Sequence, residues 1–193
     1  IHGANGYLLE QFVRDSTNHR TDQYGGSVQN RLRFVLEIVD AVVEIWGKGR
    51  VGIRLSPVSG ANNCPPDSNQ QQTYGALVDA LNARGIAFLH FVEGHTGGER
   101  ALAGFDFEDA RRRFSGVYIA NNRYTREMAI EAVGSGRVDA VAFGVPYIAN
   151  PDLARRFHLN TPLNPPNTRT FYGPDAVGYT DYPFLDEPST PSA

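Results

Sequence analysis

Cysteine is nearly absent from this chain, with one in 193 residues, Cys64. A lone thiol excludes an internal disulfide and a multi-cysteine zinc site. Its setting, Asn62-Asn63-Cys64-Pro65-Pro66, reads as a turn-rich loop carrying an inert thiol. Strong charge of either sign is missing as well. The net charge of −3 gives no reason to expect nucleic acid or an acidic membrane surface as partner. No apolar run approaches the length of a membrane span and no signal peptide is visible, which makes cytoplasmic the default expectation. No strand pattern runs into a G-x-G-x-x-G turn, so a separate nicotinamide-binding Rossmann domain is not expected. His90, Glu93 and His95 are metal-ligand types, but without a matching cluster elsewhere no metal site is expected. His90 reads instead as a strand histidine with its hydrogen bonds satisfied.

What is present is a repeating βα pattern. Apolar runs at 51–56, 86–93, 117–120 and 138–144 lack strict alternation, as parallel strands covered on both faces do. Between them lie helical patterns. Ser27 is placed to cap a long amphipathic helix with Val28, Leu32, Val35, Leu36, Val39, Val43 and Trp46 on one stripe. Tyr74, Leu77, Val78 and Leu81 repeat the spacing, and Gly85 ends that helix. Thr125 caps a third helix through Ala129 and Val133, and Asn150-Pro151-Asp152 is a start signal for a fourth. Alternating strands and helices define an α/β protein with a parallel sheet and right-handed crossovers. Four strands suit either an open sheet or half of a closed barrel, and periodicity does not separate the two. The organisation expected is one domain over 1–187, in which the proline-rich stretch from Asn160 is an extended tail packed on it, with 188–193 disordered.

The candidate chemistry opens the chain. Ile1-His2-Gly3-Ala4-Asn5-Gly6-Tyr7 sets an imidazole, a carboxamide and a phenol within seven residues. Gly3 and Gly6 let the backbone turn sharply, so the three groups can converge on one small substrate. Arg54 ends a buried strand, where an unpaired guanidinium is costly. It calls for a ligand, or for a structural carboxylate such as Glu93.

These residues carry a resemblance. His2-Gly3-Ala4-Asn5-Gly6-Tyr7-Leu8-Leu9 is followed by Gln11-Phe12, by Asn18-His19-Arg20-Thr21-Asp22-Gln23-Tyr24-Gly25-Gly26-Ser27 and by Asn30-Arg31. Val51-Gly52-Ile53-Arg54-Leu55-Ser56-Pro57 and Ile148-Ala149-Asn150-Pro151-Asp152-Leu153 complete the set. In order and spacing the chain resembles the C-terminal part of an old yellow enzyme, a flavin-dependent ene-reductase, from residue 1 to about Leu185. The resemblance implies an eight-stranded (β/α)8 TIM barrel with FMN at the C-terminal ends of the strands. It places His2 at the end of the fourth strand and makes the four apolar runs the fifth to eighth. The first half of the barrel is then absent from this chain. Catalysis falls to Tyr7 as proton donor, with His2 and Asn5 binding the substrate's carbonyl or nitro oxygen. Arg54 would meet the pyrimidine edge of FMN, and Asn121, Asn122 and Gly144 would form part of the phosphate cradle. Two positions depart from the family pattern: Asn121 stands where a glycine is usual, and Val145 where an arginine normally follows the glycine. Arg123 is the neighbouring charge, read as a solvated loop residue. Tyr172 matches a tyrosine at the substrate entrance, or serves as an aromatic anchor for the tail. The loop from Gly94 to Glu99 shapes the site mouth or acts as a lid.

The activity implied is reduction of an activated alkene, an α,β-unsaturated carbonyl or nitro compound, with NADPH as reductant in the same pocket. Partners expected are that small molecule and either a homo-oligomer or the missing N-terminal half. Competing readings are a non-catalytic half-barrel serving as an assembly module, and a flavin-retaining member repurposed for a biosynthetic isomerisation.

Overall fold

A computed structural model of the chain describes residues 1–185. The stretch 188–193, expected to be disordered, lies outside the described residues. The chain divides into two compact units, Ile1–Ala142 and the part from Phe143 onward.

The first unit alternates five strands with five helices: β1 (His2–Gly3), α1 (Leu8–Val13), α2 (Val28–Trp46), β2 (Gly52–Leu55), α3 (Gln70–Arg84), β3 (Phe88–Val92), α4 (Phe107–Arg113), β4 (Val117–Asn121), α5 (Arg126–Gly134) and β5 (Ala140–Ala142). The strands pair in sequence order, all parallel. Four strands match the apolar runs. β1 adds a fifth, at the place the family resemblance assigns to His2; two residues are too few to show a period.

Parallel register decides which side chains share a face. Ile53, Leu89 and Tyr118 align across the sheet, and so do Leu55, Phe91 and Ala120. All six are at most 1 % exposed, so this face is the core. The opposite face carries the row His2, Arg54, His90 and Ile119. The expectation of strands covered by apolar packing on both faces therefore holds for one face only. The other mixes Phe88, Val92 and Ile119 with His2, Arg54 and His90, and the chemistry stands on it.

Helix ends follow the residue chemistry. Ser27, Asn69 and Thr125 accept the N–H of Asn30, Gln72 and Met128 and cap α2, α3 and α5. Gly85, at φ 64°, ends α3. The stripe on α2 is shorter than its spacing suggests: Leu32, Val35 and Val39 are buried, whereas Trp46 is 63 % exposed.

The second unit contains α6 (Val145–Ala149), α7 (Leu153–Leu159) and a 3-10 turn at Thr168–Thr170. The Asn150-Pro151-Asp152 signal does precede a helix, but the helix begins at Leu153 with Asp152 at its cap position. Asn150 instead ties the unit together, donating to the Pro146 carbonyl at 2.8 Å and accepting from Asn164 N at 2.7 Å. Arg156 pairs with Asp152 and donates to the carbonyls of Pro162 and Pro183. The proline-rich segment is thus bent back on α7 rather than simply extended.

One buried charge pair organises the start of the first unit. Glu10 and Arg14 are both fully buried, with Arg14 Nη2 2.9 Å from Glu10 Oε1. Glu10 accepts the Gly6 N–H at 2.6 Å, the Ser56 hydroxyl at 2.8 Å and the Tyr74 hydroxyl at 2.8 Å. Arg14 donates to the carbonyls of Ser56, Ser59 and Cys64 at 2.6–2.7 Å and to Tyr74 Oη at 3.1 Å. Burial, with Glu10 beside it, pushes the Tyr74 phenol well up, so it stays protonated and donates. Arg14→Leu leaves Glu10 without its ion-pair partner in the core. The expected loss is about 3–5 kcal/mol, read by chemical denaturation; a change within about 1 kcal/mol of zero would contradict the description of this network.

Candidate active site

The first strand ends in a tight turn. Tyr7 N donates to the Ala4 carbonyl at 3.3 Å, and the two residues between them take left-handed backbone, Asn5 at φ 59° and Gly6 at φ 73°. Asparagine tolerates that region and glycine is at home in it. A side chain at Gly6 would stand 2.5 Å from the Ala61 carbonyl and 2.6 Å from Cys64 Cβ. The turn brings Tyr7, at the start of α1, back to His2, with ring centroids 5.1 Å apart. Both rings are exposed on the surface of this unit. Burial, then the charge of Arg54, lowers the His2 pKa, which keeps the imidazole neutral with one N–H to donate.

Asn5 is held at three points. Its N–H donates to Ser56 Oγ at 2.7 Å, its carbonyl accepts from Asn62 Nδ2 at 2.8 Å, and its side-chain Oδ1 accepts from Thr96 Oγ1 at 2.7 Å. The Nδ2 group has no hydrogen-bond partner among the described residues, so it is the donor left to the site. The structure thus brings His2 and Tyr7 together, with Asn5 in the turn between them.

Arg54 lies on the same sheet face, level with His2 in register. Its Nη1 approaches His90 Nε2 at 2.6 Å, and its Nη2 donates to Asn121 Oδ1 at 2.9 Å. Burial and the adjacent guanidinium push the His90 pKa down to about 4, so the ring is a neutral acceptor. Asn121 Nδ2 in turn donates to the Ala142 carbonyl at 2.8 Å. Glu93, the alternative structural partner for Arg54, is engaged elsewhere: it pairs with Arg100 at 3.0 Å and accepts from Tyr118 and Tyr124. Arg54 is thus a half-buried cation whose contacts are neutral.

The loop after β3 is tied down. Asn122 is 4 % exposed and its side chain donates to the carbonyls of Glu93 and His95 while accepting from Gly97 N. Any ligand contact at Asn122 falls to its backbone, which has φ 112°. Arg123 is exposed, as a solvated loop residue would be. In the second unit Gly144 is exposed at the start of α6, Val145 brings an exposed apolar side chain and no cation, and Tyr172 is 96 % exposed, so it anchors nothing there. Sequence reasoning missed Glu10, Arg14 and Ser59, and reached Thr96 only as part of the Gly94 to Glu99 loop. Glu10 and Arg14 had a weak signal, opposite charges four apart in Leu8-Leu9-Glu10-Gln11-Phe12-Val13-Arg14; Ser59 had none.

Residues 1–164 match the NADH:flavin oxidoreductase / NADH oxidase family. The chain belongs to this family. It is 48 % identical over 189 residues to 12-oxophytodienoate reductase 2 of Arabidopsis thaliana, covering 96 % of this chain and 50 % of the relative. It is 48 % identical to 12-oxophytodienoate reductase 1 of Oryza sativa subsp. japonica, over 97 % of this chain and 50 % of the relative. Among solved structures it superposes on morphinone reductase with a TM-score of 0.90 at 46 % identity, over 96 % of this chain and 50 % of that one. The old yellow enzyme from Trypanosoma cruzi gives 0.89 at 38 % identity, over 96 % and 49 %. The chain spans about half the length of the relatives it matches. Its parallel sheet is accordingly part of an old yellow enzyme TIM barrel.

The residues present fit the family's FMN. An arginine with five donors uses two on His90 and Asn121 and retains the rest for an anionic or carbonyl edge. A half-buried cation facing neutral partners favours a ligand that gathers negative charge.

The His90 ring supplies a pH test. Its pKa is about 4 in the fold against an ordinary 6.5. Between those values the unfolded chain takes up a proton that the folded ring refuses. Its contribution is therefore complete above pH 6.5 and lost as pH falls toward 4. His90→Asn keeps an acceptor for Arg54 but does not titrate. The variant should show a flatter loss of stability than wild type across that window in denaturation at stepped pH; parallel profiles would refute a neutral His90.

Proposed function

We propose that this chain is the substrate-activating part of an FMN-dependent ene-reductase that reduces the C=C bond of α,β-unsaturated carbonyl or nitro compounds with NADPH. The observation that carries the reading is the gathering of His2, Asn5 and Tyr7 at one turn, on the sheet face that bears Arg54. Relatives named for reducing 12-oxophytodienoate and morphinone support it, as does a morphinone reductase solved with tetrahydroNAD.

Each residue has a stated task. The neutral His2 N–H and the Asn5 Nδ2 group donate to the oxygen of the substrate. That oxygen gains charge as the alkene is attacked, so donors already fixed in place stabilise the transition state more than the ground state. When bound, FMN supplies a hydride drawn from the nicotinamide. Tyr7 gives its phenolic proton to the α-carbon while the β-carbon receives the hydride, and water restores the phenol. The π bond breaks, two C–H bonds form, and NADPH leaves as NADP⁺. Arg54 would hold the pyrimidine edge of the cofactor, with backbone groups at Asn122 contributing to its phosphate cradle.

The test is FMN titration followed by turnover of 2-cyclohexenone with NADPH. Tyr7→Phe should leave FMN affinity and the NADPH-dependent bleaching of the flavin unchanged, and slow net alkene reduction about 10²–10⁴-fold. Failure of the folded protein to take up FMN, or wild-type turnover by Tyr7→Phe, would defeat the reading.

A further inference from the structure

A carboxamide presents an acceptor or a donor depending on which way it is turned, and only the donor stabilises a developing oxyanion. Asn5 is useful in the proposed reaction in one of its two orientations. We infer that Ser59 and Thr96 form a hydroxyl relay that fixes Asn5 with its Nδ2 toward the substrate oxygen. The inference rests on the reading of Asn5 given above and adds two positioning residues to it.

Counting protons sets the direction of the relay. Ser59 is fully buried, and its Oγ accepts the N–H of Thr96 at 3.1 Å and that of Ala61 at 3.4 Å. With those N–H donors on its lone pairs, the Ser59 hydroxyl proton is left for Thr96 Oγ1, 2.8 Å away. Thr96 Oγ1 then accepts from Ser59 and has one proton of its own, directed to Asn5 Oδ1 at 2.7 Å. A flipped Asn5 would set an NH₂ donor against the Thr96 hydroxyl. Thr96 Oγ1 has a second lone pair with which to accept it, but its own proton would then lose Asn5 Oδ1 as acceptor and face the donor instead.

Both ends of the relay are held by other elements. Ser59 follows β2, and its carbonyl accepts from buried Arg14 at 2.7 Å. Thr96 sits between His95 and Gly97, whose backbone groups are gripped by the Asn122 side chain. The donor set of the site is therefore assembled from three strand ends, those of β1, β2 and β3.

A double-mutant cycle in the FMN-loaded protein separates positioning from plain stability. The variants are Thr96→Val, which keeps the shape but removes the proton, Thr96→Ser, which keeps the proton, Asn5→Ala, and Asn5→Ala with Thr96→Val. Two quantities are read: kcat and KM for 2-cyclohexenone, and the dissociation constant of cyclohexanone, which takes the same donors without being reduced, followed by flavin absorbance. Thermal midpoint confirms that each variant is folded. Thr96→Val should lower kcat/KM roughly ten-fold and weaken cyclohexanone in the same sense, as loss of about one hydrogen bond implies. Thr96→Ser should stay within about two-fold of wild type. In the Asn5→Ala background Thr96→Val should cost nothing further, because the residue it acts through is gone. An equal loss in both backgrounds, or a Thr96→Ser as impaired as Thr96→Val, overturns the relay while leaving the reading of Asn5 intact. Wild-type kcat/KM in Asn5→Ala overturns that reading and the relay together.

Discussion

The Glu10–Arg14 pair is the constraint on which the site depends. Two opposite charges in a core are weak contributors to stability, because desolvation offsets most of their attraction. Their value here is geometric. Glu10 holds the Gly6 N–H inside the turn that carries Asn5 and Tyr7, and through Ser56 Oγ it also reaches the Asn5 N–H. Arg14 gathers the carbonyls of Ser56, Ser59 and Cys64, the connection that follows β2. One helix of six residues thus joins the active-site turn to the end of the neighbouring strand. An apolar pair of equal volume would fill the space, but it would leave the Gly6 N–H and three buried carbonyls to find other partners.

The parallel register does the second part of the work. Because paired residues in adjacent parallel strands point to the same face, one face becomes an apolar core and the other lines up His2, Arg54 and His90 among apolar neighbours. His2 stands opposite Arg54, and Arg54 opposite His90. Burial, and after it the cation in that row, lowers the affinity of both imidazoles for protons, furthest in the more buried His90. Arg54 therefore meets neutral rings, which accept from it or donate elsewhere without cancelling its charge. The charge remains for whatever binds that face.

The parts of this arrangement that were legible in the sequence are the local ones. The His2–Tyr7 cluster is readable because all its members lie within one turn, and the helix caps at Ser27 and Thr125 because a cap is a short-range hydrogen bond. The strand runs were readable as well, although their ends were not. What escaped are contacts between distant segments. Thr96 and Asn5 are 91 positions apart, and Arg54 and Asn121 are 67 apart. No spacing rule links such residues; only the closing of the sheet brings them together. Helices α1 and α4 escaped for another reason, since six or seven residues are too short to display a period of 3.6. The α2 stripe was over-read at Trp46, because amphipathic spacing shows which residues share a face but not where the surface they would cover ends.

Asn121 shows how a departure from a family pattern acquires a physical meaning. At Asn121 the family usually has glycine, and read from the sequence alone the extra side chain is an obstruction near a phosphate cradle. In the fold its carboxamide joins Arg54 of β2 to the Ala142 carbonyl of β5, spanning β3 and β4 on the face that carries His90. Asn122 is used inward too, on the loop that carries Thr96. The Asn121 side chain stiffens a strand end that a glycine would leave to the backbone alone, and glycine costs more conformational entropy to order than any other residue. Flexibility has been exchanged for fixed donors. With Arg54 clamped by Asn121 and His90, and Asn5 by Thr96, this face meets its ligands with its principal donors already in place, so little ordering is left for the moment of binding.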